Sequence, residues 1–197
     1  MLRQIRTSIL LLFSLTLLTG MLYPLLVTGI SQLIFPSQAN GSLIGQDGLW
    51  VGSELIGQSF TSPGYFRGRP SATSPVPYNA AASSGSNLGP SNPVLLNAVH
   101  ERVEYLQGED SYHGESIPVD LVTSSGSGLD PHISVQAAFY QIPRVARVRG
   151  IPERELRTLV ERSLEPRDLG VLGEPRVNVL LLNLALDRSK SISKGDR

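Results

Sequence analysis

Forty consecutive residues, Thr7 to Gln46, carry no charged side chain, and the first 28 of them, Thr7 to Ile34, are dense in Leu, Ile, Val and Phe. As a helix those 28 residues are about 40 Å long at 1.5 Å per residue, enough to cross a hydrocarbon core of roughly 30 Å. Backbone groups in lipid must be satisfied within the segment, which demands a helix here, and Pro24 permits a kink rather than a break. A secretory signal has an apolar region of about 7–15 residues, roughly half this length, so the stretch reads as an anchor despite the small-x-small sequence Ser37-Gln38-Ala39. Arg3 and Arg6 precede the span, and Ser37 to Gln46 after it has no Lys or Arg. The positive-inside rule therefore predicts a short cytoplasmic segment, 1–6, a transmembrane helix, 7–34, and a domain outside the cytoplasm from residue 35.

The span carries a possible mark of helix pairing. Thr16, Gly20 and Tyr23 stand at i, i+4 and i+7 on one face, and small residues at such spacing let a second transmembrane helix approach closely. Over the whole chain 17 Lys plus Arg balance 17 Asp plus Glu; without Arg3 and Arg6 the remainder is 15 against 17, a net charge of −2. Net neutrality excludes a nucleic-acid binder that works through a basic face, so no nucleic-acid partner is expected. The chain has no cysteine, which removes disulfides, thiolate metal sites and Cys nucleophiles.

The rest of the chain interleaves short strand and helix patterns. Gly41 to Gln46 and Gly52 to Gln58 nearly repeat, suggesting a hairpin turning at Asp47-Gly48. Residues 70–99 are uncharged and rich in Pro, Gly, Ser and Asn, a linker by composition. Pro93 opens an amphipathic helix with Leu95, Leu96, Val99, Val103 and Leu106 on one face and Glu101, Arg102 and Glu104 turned away. Ile117 to Thr123 alternates as a strand. Asp130-Pro131 reads as the cap and first turn of a second helix through Tyr140, interrupted at Pro143. Arg144, Arg147 and Arg149 then make a solvated basic face. Pro152 starts a third helix, and Val177 to Leu182 reads as a buried strand. The expected architecture is a single N-terminal transmembrane helix plus one mixed α/β (α+β) extracytoplasmic domain over 35–188, with a polar tail, 189–197.

Chemistry is sparse. His100, His113 and His132 lie 13 and 19 residues apart, too scattered for a short ligand motif. No phosphate-binding loop of the G-x-x-x-x-G-K-[ST] type occurs, and the only lysines are Lys190 and Lys194. Ser127, His132 and Asp130 can be written as a triad, although proximity in sequence is poor evidence for triad geometry. That set would make the chain an anchored serine hydrolase. A second alternative is an anchored binding or sensor module.

The order of segments closely resembles the C subunit of the bacterial Kdp potassium-transporting ATPase, the KdpC family. The resemblance runs through YPLL (Tyr23 to Leu26), QANGSLI (Gln38 to Ile44), GSELIGQSF (Gly52 to Phe60), YFRGRPSA (Tyr65 to Ala72) and YN…SSGSNLGPSNP (Tyr78 to Pro93). It continues through VDLVTSSGSGLDPHIS (Val119 to Ser134), QIPRVA (Gln141 to Ala146) and VNVLLLNLALD (Val177 to Asp187). It implies a non-catalytic subunit of a P-type pump complex in the inner membrane, with KdpA, KdpB and KdpF and the lipid bilayer as partners and ATP hydrolysis in KdpB.

It also implies that residues 70–99 form an ordered, irregular loop facing KdpA. The implied contact residues are Gln58 and Phe60, then Tyr65, Phe66, Arg67 and Arg69, then Tyr78, Asn79, Gly85, Ser86 and Asn87. No metal and no bound cofactor are implied; ATP enters only in a transient complex with KdpB, whose ATP affinity the family is described as raising. Gln141 is the candidate for such a nucleotide contact. With the domain outside and ATP inside, the effect would have to travel through the membrane helices as a coupling free energy of about 1–3 kcal/mol.

Overall fold

A computed structural model describes residues 1–46, 48–109 and 116–195 of the chain. The chain divides into two compact units, Met1–Val51 and Gly52–Arg197. The first begins with a continuous helical rod, Leu2–Ile34, of mean hydropathy 2.1 in its most apolar window and long enough to span a bilayer. Within it α1 (Leu2–Leu17) and α2 (Tyr23–Ile34) are joined by a π-helical turn, Leu18–Leu22, closed by the Tyr23 N–H on Leu18 O. Pro24 stands at the start of α2 with no N–H to donate, and the wider turn before it is the local adjustment. Thr16, Gly20 and Tyr23 therefore run across a change of pitch. A short helix α3 (Pro36–Ala39) follows, then β1 (Leu43–Gln46) paired with β2 (Leu49–Ser53). The hairpin uses only the start of the second repeat copy, since Glu54 and Leu55 already turn away. Asp47 lies outside the described residues.

The second unit contains α4 (Pro93–Glu109), a 3-10 turn (Val119–Leu121), β3 (His132–Ser134) and α5 (Val135–Arg149). After these come α6 (Glu153–Arg162), β4 (Leu164–Glu165), β5 (Arg176–Asn178) and α7 (Val179–Gly195). The strands form an antiparallel sheet in the order β3-β5-β4, pairing Ile133 with Val177 and Leu164 with Val177. Around buried Val177 gather Ile133, Val145, Leu156, Val160, Leu182 and Leu186, so α5, α6 and α7 close one core over a small sheet. This is the mixed α/β domain expected.

Four local expectations fail for identifiable reasons. Ile117 to Thr123 is no strand: Asp120 accepts from Ser134 N (2.7 Å) and Ser134 Oγ (3.1 Å), which rolls the segment into a 3-10 turn. The helix after Pro131 begins at Val135, capped by Ser134 Oγ on Ala137 N, because His132–Ser134 is taken up by the sheet. Pro143 does not interrupt it. α5 runs on to Gly150 (φ 66), because the buried contacts of Ala138, Ile142, Val145 and Ala146 outweigh one missing backbone bond. Of Val177 to Leu182, only Val177 and Asn178 belong to a strand. The Asn178 side chain accepts from Leu181 N (3.2 Å) and starts α7, whose Val179, Leu182 and Leu186 repeat at helical spacing into the core. A continuous apolar run does not distinguish the two periods; the capping side chain decides.

Candidate functional site

The segment leading into the compositional linker, residues 63–69, is built into the domain through its backbone. Phe66 is completely buried, and the helices on either side supply the partners that a neighbouring strand would have supplied. From α7, Asn183 accepts from Phe66 N (2.9 Å) and donates to Phe66 O (2.9 Å). From α5, Gln141 accepts from Arg67 N (2.7 Å) and donates to Arg67 O (3.1 Å). Two side-chain amides thus imitate ladder bonds on successive residues, satisfying groups that burial would otherwise penalise.

Arg144, 1% exposed, donates to Pro63 O (2.5 Å), Tyr65 O (3.1 Å) and Gln141 Oε1 (2.7 Å). Arg149 donates to Gly64 O (2.7 Å), pairs with Asp187 (2.8 Å) and stacks over the Tyr65 ring at 4.4 Å. The basic cluster of α5 is therefore largely internal scaffolding; the expected solvated face is corrected by its need to hold residues 63–67.

Beyond Arg67 the segment lines a cleft of about 270 Å³ with Gln58, Phe60, Arg69 and Tyr78, closed on the far side by Arg102, Tyr105 and Leu121. Arg67 pairs with Glu109 (2.5 Å) and lies over the Tyr105 ring at 4.9 Å. Its hydrogen bond, more than any other effect, holds the Glu109 carboxyl below the usual range. Arg69 reaches Asp130 (3.3 Å) and Ser124 O (3.3 Å). Tyr78 donates to Arg69 O (2.5 Å), and burial pushes its phenol up to about 12. Arg102 does not face away as the helical pattern suggested: it donates to Val122 O (2.8 Å), while Leu96 is exposed. Helical spacing gives the angle between residues but not which neighbour the helix will meet.

The loop continues as a set of side-chain turns. Ser71 Oγ donates to Gly128 O (2.7 Å) and accepts from Tyr78 N (2.9 Å); Thr73 Oγ1 accepts from Asn79 N (3.0 Å). Ser84 N donates to Ser127 O (3.0 Å), and Gly85 lies so close to Gly126 that a Cβ would stand 2.7 Å from its carbonyl oxygen. Residues 70–85 are thus irregular yet pinned, whereas Pro93 to Val99, the end of the expected 70–99 loop, belong to α4 because the amphipathic helix starts at Pro93.

Of the implied contact residues, Gln58, Phe60, Tyr65, Arg67, Arg69, Tyr78 and Asn79 are half-buried along the cleft and its rim. Gly85 is half-buried, Ser86 and Asn87 are exposed at the far end, and Phe66 is core. Gln141, 1% exposed, has its amide committed to Arg67, Ala137 and Arg144, so a ligand reaches it only if residues 66–67 lift away. Sequence reasoning missed Asn183, Arg144 and Glu109. The signal was available for Asn183: a polar residue within the apolar run of α7 must find a partner.

The set Ser127, His132 and Asp130 does not assemble as a triad. His132 Nδ1 faces Asp130 (3.5 Å), but Nε2 faces Glu165 (3.3 Å), and Ser127 Oγ accepts from Leu129 N (3.1 Å). His113 lies outside the described residues. Among the described residues no three His, Asp or Glu side chains cluster to hold a metal ion.

The family described as KdpC, K+-transporting ATPase, c chain, matches residues 5–188. The chain belongs to the KdpC family. It is 60% identical to the potassium-transporting ATPase KdpC subunit of Polaromonas naphthalenivorans (strain CJ2), over 96% of each chain. It is 59% identical to that of Sorangium cellulosum (strain So ce56), over 96% of this chain and 100% of the relative. With the KdpC subunit of Methylococcus capsulatus (strain Bath) it shares 58%, over 95% and 98%.

Proposed function

We propose that the chain is the non-catalytic C subunit of an ATP-driven potassium uptake complex, anchored by Leu2–Ile34 with its domain outside the cytoplasm. The observation that carries this reading is the bracing of residues 63–85 against α5, α7 and residues 124–130. From Pro70 to Gly85 a compositional linker has become a fixed, uncharged surface. Pinned backbone spares a partner the entropy of ordering the loop, and small neutral residues can be covered without desolvating charges. KdpA is the partner for this surface; KdpB hydrolyses ATP, and KdpF completes the assembly. Arg3 and Arg6 before the span, against none in 35–46, set the orientation. Any influence on ATP affinity then reaches KdpB through the membrane helices, and Gln141 serves by holding Arg67 in place.

Two measurements test this. In spheroplasts, protease added outside should remove a tag placed after Arg197; protection until the cells are opened would refute the orientation. Ser86→Arg, at an exposed position, should leave the chain folded but strip it from KdpA on purification. Undiminished co-purification would refute the contact surface.

A further inference from the structure

Unit Met1–Val51 holds an apolar surface that the span alone does not account for. Trp50 is 73% exposed and Leu49 72%, with Leu43 beside them on the same hairpin. Trp50 is the chain's single tryptophan. Its ring lies across Gly45, where a Cβ would stand 3.5 Å from the ring, so the indole is spread over the hairpin rather than tucked under it.

The hairpin is held close to the end of the span. Phe35 N–H bonds to Ser31 O (2.8 Å), and the Gln32 and Asn40 amides bond reciprocally at 3.3 and 3.1 Å, folding α3 back on α2. Gly41 (φ 91) and Ser42 (φ 48) make the next reversal, with Ser42 N–H on Ser37 O (2.9 Å). The chain therefore enters β1 within a few residues of the helix end instead of running out into water.

Depth follows from length. Thr7 to Ile34 rises about 42 Å as a helix, and at any tilt up to about 40° it covers more than about 30 Å of the membrane normal. A hydrocarbon core of about 30 Å leaves Ile34 inside the opposite headgroup layer. Indole and leucine side chains belong at that depth, where an apolar body meets a wet boundary. The flanking charges, Asp47 and Glu54, are both acidic, so nothing attracts the hairpin to anionic lipid. Apolar insertion is the interaction that fits.

We propose that the β1–β2 hairpin is a second membrane contact, lying in the zwitterionic headgroup layer where the span emerges, with Trp50 and Leu49 as its anchors. It fixes the rotation and height of the exit from the bilayer. The proposal rests on the span and not on the pump assembly.

The single tryptophan makes the test direct. The full chain is reconstituted alone in phosphatidylcholine vesicles, and its fluorescence is compared with that in vesicles whose lipids carry bromine at shallow or deep acyl positions. The expected result is emission to the blue of tryptophan in water, strong quenching by shallow bromines and weaker quenching by deep ones. Water-like emission untouched by bromine would overturn the proposal. So would a shift that appears only when the other subunits are added, which would assign the hairpin to a protein partner. Blue emission without bromine quenching also overturns it, because the indole would then be buried away from lipid.

Discussion

Replacing Gln141 by alanine removes one side chain and strands three groups. Arg67 N–H and Arg67 C=O lose their partner, and the Arg144 guanidinium loses the acceptor of its 2.7 Å bond. At about 1 kcal/mol for each part-buried backbone group and about 1.5–3 for the charged one, the cost is roughly 3–5 kcal/mol. For a domain of this size each kcal/mol lowers the melting temperature by about 2–4 °C, so the variant should melt about 6–20 °C below the parent. The assay is thermal unfolding of the full chain in detergent, followed by far-ultraviolet circular dichroism. Gln141→Glu keeps the acceptor for Arg67 N and Arg144 but turns the donor to Arg67 O into a second acceptor, and should fall between the two. A Gln141→Ala chain that melts within about 2 °C of the parent, below 1 kcal/mol on the same scale, would refute the bracing role. An assembled complex that lost ATP affinity while the chain kept its stability would point instead to nucleotide contact.

Other perturbations probe neighbouring parts of the surface. Gly128 has φ 67, and a Cβ there would stand 2.6 Å from Ser84 O. Gly128→Ala should cost at least about 1–2 kcal/mol for the left-handed backbone, and should speed hydrogen exchange at Ser84 N–H. Glu109 titrates below its ordinary 4.5 when folded, first through its hydrogen bond with Arg67. Its stabilisation is therefore complete above pH 4.5 and lost as pH falls through the lower folded value. Glu109→Gln should melt slightly below the parent at neutral pH, by about 0.5–1 kcal/mol, and the gap should close in acid. A gap that widened would refute the pairing. Tyr78, raised to about 12 by burial first and by Asp130 second, stays neutral between pH 10 and 12 while the unfolded phenol ionises. Stability should fall with rising pH across that window, and Tyr78→Phe should remove that part of the slope.

The span and the core face of α6 follow from sequence pattern alone. Leu156 and Val160 in α6, and the long uncharged run of α1 and α2, bury or expose what their spacing demands. The failures have two causes. Asp120, Ser134 and Asn178 each choose a local structure by a hydrogen bond that pattern does not reveal, and Pro143 stays within α5 because burial on the core face outweighs one lost bond. The cleft was only half visible. Arg67, Arg69 and Tyr78 were named through resemblance, whereas Glu109 and Arg102 join them from α4, more than 20 residues away in sequence.

Sequence by itself determined that there is one apolar span and one nearly neutral remainder without cysteine, because these are matters of composition and length. Only tertiary structure decided that the Pro-, Gly- and Ser-rich stretch is ordered. A chain with few large apolar residues cannot hold itself in place, and here Asn183, Gln141, Arg144 and Arg149 hold the backbone that leads into it from α5 and α7.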